Sequence, residues 1–125
     1  MRLLTHWVGE VGGEIESEIV STLAVQLEKT IVFKGSNVII ADPDGKKNVL
    51  AGGSGYLRKA GCGSILAGMM VGLCATGVSP YEAAIASAWC FIRAGECALQ
   101  NVGSLPAVLA SDILDALPDV LRGVG

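Results

Sequence analysis

The sequence predicts an α/β fold, and three features predict it. A β-branched run, Thr30-Ile31-Val32-Phe33-Lys34, is followed after a Gly35-Ser36 break by a second apolar stretch from Asn37 to Ala41. A glycine-rich loop then runs straight into an uncharged apolar segment of helical length at Gly61-Cys62-Gly63-Ser64. Finally, Ser79-Pro80-Tyr81-Glu82 is a strong helix start, with a serine cap, proline at the first position and a carboxylate at the third.

In chain order, Leu3-Leu4-Thr5 reads as a short strand-like start before a glycine-rich loop. Glu14 to Lys29 reads as a helix, because Ile15, Ile19, Leu23 and Leu27 recur every four residues. Glu14, Glu16 and Glu18 lie near its N-terminal end, where the helix dipole favours them. Thr30–Lys34 and Asn37–Ala41 are strands. Asp42-Pro43-Asp44-Gly45 is a turn, since proline sets φ and glycine takes the left-handed position. Asn48 to Leu50 completes a hairpin across it. Ser64 to Ala75 is a helix that Gly77 stops, and a longer one runs from Pro80 to about Gln100. Trp89 and Phe91 are read as packing residues. A last helix spans Ser111 to Leu117, ending at Pro118 in a frayed tail. No repeat or linker interrupts the order. Three short strands are too few to cover these helices, so the chain is expected to form one partial domain over residues 1–125, part of a larger sheet protein.

Composition narrows the function. The 125 residues are 51% hydrophobic and 17% charged, enough to bury a core. A net charge of −3 excludes a broad nucleic-acid footprint, so any anion binding must be local. Mean hydropathy is positive, at +0.55, but the apolar run from Gly61 to Val78 is short and glycine-rich for a membrane span. The next apolar segment carries Glu82, Arg93 and Glu96, so a buried helix pair is expected and no membrane partner. Met1-Arg2-Leu3-Leu4 passes at once into polar residues, so no secretory leader is expected. Cys62, Cys74, Cys90 and Cys97 form no CxxC pair, and His6 is the only histidine. They read as structural thiols in a reducing cytoplasm, with no protein-held metal.

Residues 61–64 carry the chemistry. Glycines there allow a tight turn and close approach of a ligand. The first helical turn leaves N–H groups unpaired and carries partial positive charge. Together these make an anion site, most often for phosphate. Arg58 and Lys59 add formal charge just before it. The plainer alternative is a helix start capped by Ser64 after an ordinary loop. It is neither a Walker A loop, since no Gly-Lys-Ser/Thr occurs, nor a dinucleotide fingerprint.

Several segments then fall into one order: Val32-Phe33-Lys34-Gly35-Ser36, Val38 to Gly45, Gly61-Cys62-Gly63-Ser64-Ile65-Leu66-Ala67-Gly68, Glu82-Ala83-Ala84, Ala94-Gly95, and Ala110-Ser111-Asp112 through Pro118. This order resembles the ADP/ATP-dependent NAD(P)H-hydrate dehydratases, carbohydrate-kinase-related members of the ribokinase-like superfamily. The resemblance covers nearly the whole chain but about the second half of the family's domain. It implies a partial ribokinase-like fold, with a few strands including a hairpin, a glycine loop and a helical C-terminal half.

By that resemblance, the family's Lys-Gly-x-x-Thr segment falls on Lys34, Gly35, Ser36, Asn37 and Val38, with Val38 where threonine is usual. These residues, with Gly61, Cys62 and Gly63, would line the adenine nucleotide site. The family's Gly-x-Gly-Asp falls on Gly61 to Ser64, which puts Ser64 at the catalytic aspartate that faces the hydrated nicotinamide. The substrate-contacting histidine falls on Trp7, with His6 one place out of register, and the family's His-Gly-x-Ala-Gly becomes Phe91-Ile92-Arg93-Ala94-Gly95. The implied reaction dehydrates hydrated NADH or NADPH at the expense of ADP or ATP, with Mg2+ as companion ion, and Ser64 implies impaired turnover. The implied partners are the adenine nucleotide, the hydrated cofactor, and a separate N-terminal half or a second copy. The alternatives are a ribokinase-like small-molecule kinase and a non-catalytic nucleotide-binding or structural remnant.

Overall fold

The computed structural model describes residues 3–5, 13–35, 37–51, 55 and 59–124. The elements are β1 (Leu3–Thr5), α1 (Gly13–Leu27), β2 (Thr30–Lys34), β3 (Val38–Ala41), β4 (Lys47–Leu50), α2 (Cys62–Ala75), α3 (Pro80–Val102), a 3-10 turn at Leu105–Ala107, and α4 (Ala110–Val124).

The strands form one sheet in the order β1-β2-β3-β4. β1 runs parallel to β2, pairing Leu4 with Ile31, whereas β2, β3 and β4 are mutually antiparallel. The β3–β4 connection closes on Asp42, whose Oδ1 accepts from the amides of Asp44 at 2.8 Å and Lys46 at 3.2 Å. Gly45 takes the left-handed conformation there, at φ 94°.

Side chains alternate across the strands and divide the core in two. Ile31, Phe33, Ile39 and Ala41 face α1, where Val20 and Ala24 meet them. Val32, Val38 and Ile40 face the opposite way, into a larger core with Cys62, Leu66 and Met70 of α2, Phe91 and the small alanines of α3, and Ile113 and Leu117 of α4. Ala84, Ala88, Ala94 and Ala98 let α3 lie close to its neighbours, as the alanine-rich sequence leads one to expect.

Four expectations need correcting. The four-residue apolar row of α1 is not its buried face: Ile15 and Leu27 are exposed, and Glu16, Ser17, Val20 and Ala24 are buried instead. The helix is turned by about one residue, about 100°. Trp89 is 43% exposed, with the Arg93 guanidinium 5.9 Å from its ring centroid, while Phe91 is wholly buried. α4 continues through Pro118 to Val124, because Val120, two residues further on, is buried in the core and holds the helix past the proline. Finally, α2 begins at Cys62, two residues before the expected start.

Candidate phosphate site at the start of α2

Lys34 ends β2 and stands beside the turn into β3. Gly35 donates its amide to the Asn37 carbonyl at 3.0 Å, and a Cβ on Gly35 would lie 2.6 Å from Cε1 of Phe33, so only glycine fits beneath that ring. The turn thus delivers Lys34 at the end of β2 that lies beside the start of α2.

α2 is entered through Gly61, which takes φ 87° and serves as N-cap without any side-chain hydrogen bond. The Cys62 amide donates to the Lys59 carbonyl at 3.2 Å, and Ile65 donates to the Gly61 carbonyl at 3.2 Å. Between them, the amides of Gly63 and Ser64 have no acceptor among the described residues. Ser64 does not cap the helix. It is its third residue, with an exposed side chain.

The two segments meet. The Lys34 ammonium lies 2.7 Å from the point that a Cβ on Gly63 would occupy. The absent side chain is what admits the lysine. Lys59 joins it electrostatically: burial pushes the Cys62 thiol up from its ordinary range, and the Lys59 and Lys34 charges oppose that rise. Neither lysine has a carboxylate partner among the described residues. Two cations, two open amides and the positive end of α2 therefore converge without a neutralising acid, and an anion would relieve that arrangement. The start of α4 closes the other side, with Ala110 Cβ 3.4 Å from the Cβ position of Gly61. Nothing local in the sequence foretells that contact. Asp112 Oδ2 accepts from the Leu109 amide at 2.8 Å and caps its own helix.

The structure brings Lys34, Gly61, Cys62, Gly63 and Ser64 together. Gly35 and Asn37 flank them in the turn. Val38 is placed differently: its side chain is fully buried in the larger core, so only its backbone is available to a ligand. Trp7 and Ser36, like His6 and Arg58, lie outside the described residues. A separate cleft of about 390 Å³ lies at the opposite end of the sheet, between the β3–β4 turn and the start of α3, and no sequence-predicted site residue lines it.

Fold and site together define an α/β protein in which a glycine loop enters a helix N-terminus that carries open amides and a nearby lysine. Comparison with known proteins gives this class a family. The family model described as NAD(P)H-hydrate dehydratase matches residues 2–119, and the chain belongs to that family. It is similar to a bifunctional NAD(P)H-hydrate repair enzyme of Moorella thermoacetica, 35% identical over 107 residues, covering 86% of this chain and 20% of the relative. It is also similar to the ADP-dependent (S)-NAD(P)H-hydrate dehydratase of Neisseria meningitidis, 32% identical over 115 residues, covering 92% of this chain and 38% of the relative. Among solved structures, Bacillus subtilis YxkO superposes with a TM-score of 0.85 at 27% identity, over 98% of this chain and 49% of that one. The Bacillus subtilis ADP/ATP-dependent NAD(P)H-hydrate dehydratase co-crystallised with ATP and Mg2+ superposes with a TM-score of 0.80 at 29% identity, over 90% of this chain and 40% of that one. The chain thus spans at most half the length of the proteins named here.

Proposed function

We propose that this chain is the phosphate-binding part of a nucleotide-dependent dehydratase acting on hydrated NADH or NADPH, with turnover impaired by a serine at the acid position. The observation that carries the reading is the approach of the Lys34 ammonium over Gly63, beside two open amides. A nucleotide's phosphoryl oxygens are the anion best suited to such a cradle. The names of the Neisseria and Bacillus relatives, which specify ADP or ATP, support that choice. Mg2+ would arrive with the nucleotide, held mainly by phosphate oxygens and water.

The family reaction asks a ring hydroxyl to give up its proton while its oxygen bonds to the nucleotide's terminal phosphorus, whose bond to the bridging oxygen breaks and releases the shortened nucleotide; the carbon–oxygen bond then breaks to release phosphate, and loss of a neighbouring ring proton restores the double bond. The proton step wants a carboxylate. The Ser64 hydroxyl can donate a hydrogen bond to phosphate, but near neutrality it is a poor proton acceptor, and loss of a general base typically costs about 10²–10⁴-fold in rate. This favours a second reading on the same site, nucleotide binding with negligible turnover. A small-molecule kinase of the same superfamily would need the same acid, so Ser64 counts against it equally, and the dehydratase match favours the first reading.

The four cysteines are free thiols, which suits a reducing cytoplasm. The remaining half of the family domain, or a second copy of this chain, would complete the structure. Titration calorimetry with ADP and ATP tests the proposal. Saturable heat is expected, with an affinity that Lys34→Ala weakens, and no heat at millimolar nucleotide would overturn the proposal. Ser64→Asp, assayed on hydrated NADH with the family's other half supplied, separates the two readings.

A further inference from the structure

We infer that the cleft at the far end of the sheet from Lys34 binds a small organic ammonium, a primary amine on a short hydrocarbon stem. The cleft holds about 390 Å³, within the range of small-molecule sites, and lies between the β3–β4 turn, the start of β2 and the start of α3. Its floor is polar and buried, since Asp42 is 7% exposed and Thr30 5%. Asp42 Oδ1 accepts from the amides of Asp44 and Lys46. Its Oδ2 and the Thr30 hydroxyl have no hydrogen-bond partner among the described residues, and neither is sealed from solvent as the Ser87 hydroxyl is. Both residues line the cleft, so a donor entering it would meet an acceptor that the fold leaves unused.

Charge sets the sign of the ligand. Asp44 and Glu82 are exposed at the rim, and among the described residues no lysine or arginine forms an ion pair with them or with Asp42. Lys46 lines the same cleft, but its ammonium lies over the Tyr81 ring, 6.0 Å from the centroid. That ring face is thus already a seat for a cation. Burial, and after it the Asp42 charge, pushes the Tyr81 phenol up from its ordinary value, so the carboxylate and the ring share one environment. The three donors of an ammonium suit several carboxylate acceptors, and the Pro43 and Pro80 rings offer apolar wall to a methylene stem. A bare metal ion would use neither the ring nor the prolines.

The test titrates the whole chain with putrescine near neutral pH at constant ionic strength, followed residue by residue through amide NMR. Saturable shifts confined to Asp42–Lys46 and Ser79–Glu82 are expected. Asp42→Asn keeps an oxygen for the turn and removes the charge, so the dissociation constant should rise by about tenfold or more. Glu82→Gln, which does not touch the turn, should raise it by about two- to fivefold and carries the charge test if the Asp42 variant fails to fold. Lys46→Ala vacates the ring and removes a like charge, so it should lower the constant by about two- to fivefold. No saturation at millimolar putrescine, the same shifts with tetramethylammonium or magnesium chloride, or weaker binding by Lys46→Ala would overturn the assignment. Nucleotide titration reads the opposite end of the sheet, so failure here is distinguishable from failure of the proposed phosphate site.

Discussion

The starts of α2 and α3 have been treated in opposite ways by the same chain. α3 begins with Ser79 in an extended conformation, its Oγ accepting from the Glu82 amide at 3.3 Å, with Pro80 at the first position. Its end is satisfied by its own side chains, and Glu82 answers the dipole. α2 begins with Gly61 in the left-handed conformation, has no side-chain cap, and carries no acid in its first turn. Two lysines add to the positive end instead. A helix start that spends its capping groups internally has little left for a ligand. One that leaves amides open and gathers cations gives up local stability and keeps the potential that an anion would use. The difference locates the site more firmly than either start does alone.

The largest effect expected from breaking this contrast is chemical. Ser64→Asp restores a carboxylate at the open start, and turnover of hydrated NADH should rise by about 10²–10⁴-fold. An unchanged rate with nucleotide still bound would mean that the missing acid is not the principal defect. Next come the cations. Lys34→Ala removes a charge-assisted contact of about 1.5–3 kcal/mol, so the dissociation constant for ADP should rise by about 10–100-fold. Lys46→Ala, at the opposite end of the sheet where its ammonium lies 6.0 Å from the Tyr81 ring centroid, should leave it unchanged. Gly63→Ala puts a methyl 2.7 Å from the lysine nitrogen and should weaken binding by pushing the amine aside, while the melting temperature holds or rises because alanine is the better helix former.

Stability should show the reverse pattern. Ser79→Ala removes a working cap and should cost about 1 kcal/mol, a few degrees in melting temperature, with nucleotide affinity untouched. Ser64→Ala removes no cap and should leave thermal stability within about 0.5 kcal/mol. Equal losses from the two substitutions, read by calorimetry, would erase the distinction between the two starts.

The same pair shows what the sequence could tell. Ser79-Pro80-Tyr81-Glu82 is legible because every participant lies within four residues and the chemistry is local. β2 and β3 are legible because burial on both faces of the sheet writes a continuous apolar run, as in Ile31, Val32 and Phe33. The glycine junction is legible as a helix start, and its cap is not: both Gly61 and Ser64 are acceptable N-caps, and the choice of Gly61 goes with the close approach of Ala110, some fifty residues away. The approach of Lys34 to Gly63 is likewise a product of the sheet, visible beforehand only through family resemblance. The apolar row of α1 misleads for a related reason. Ile15 and Leu27 lie outside the sheet's reach, and Glu16 and Ser17 are turned inward by the crossover that joins β1 to β2.

The smallest effect concerns Cys62, the first residue of the open helix, where the dipole and two lysines would ordinarily depress a thiol's pKa. Burial outweighs them, and the folded thiol titrates above its ordinary value of 9.0. The sign follows from linkage: the folded state keeps its proton more tightly than the unfolded state. Stability from this group is therefore full below about pH 9 and is lost as pH rises from there through the higher folded value. Cys90 and Tyr81 are shifted the same way, so the whole protein should lose stability in alkali, and Cys62 supplies only part of that loss. The Cys62 share is the difference in slope of melting temperature against pH between the parent and Cys62→Ala. Adding Lys34→Ala to the parent should steepen the alkaline loss, because removing a cation that steadies the thiolate raises the folded pKa further. If Lys34→Ala left that slope unchanged, the lysine would not be acting on the helix start, and the contrast with α3 would rest on the open amides alone.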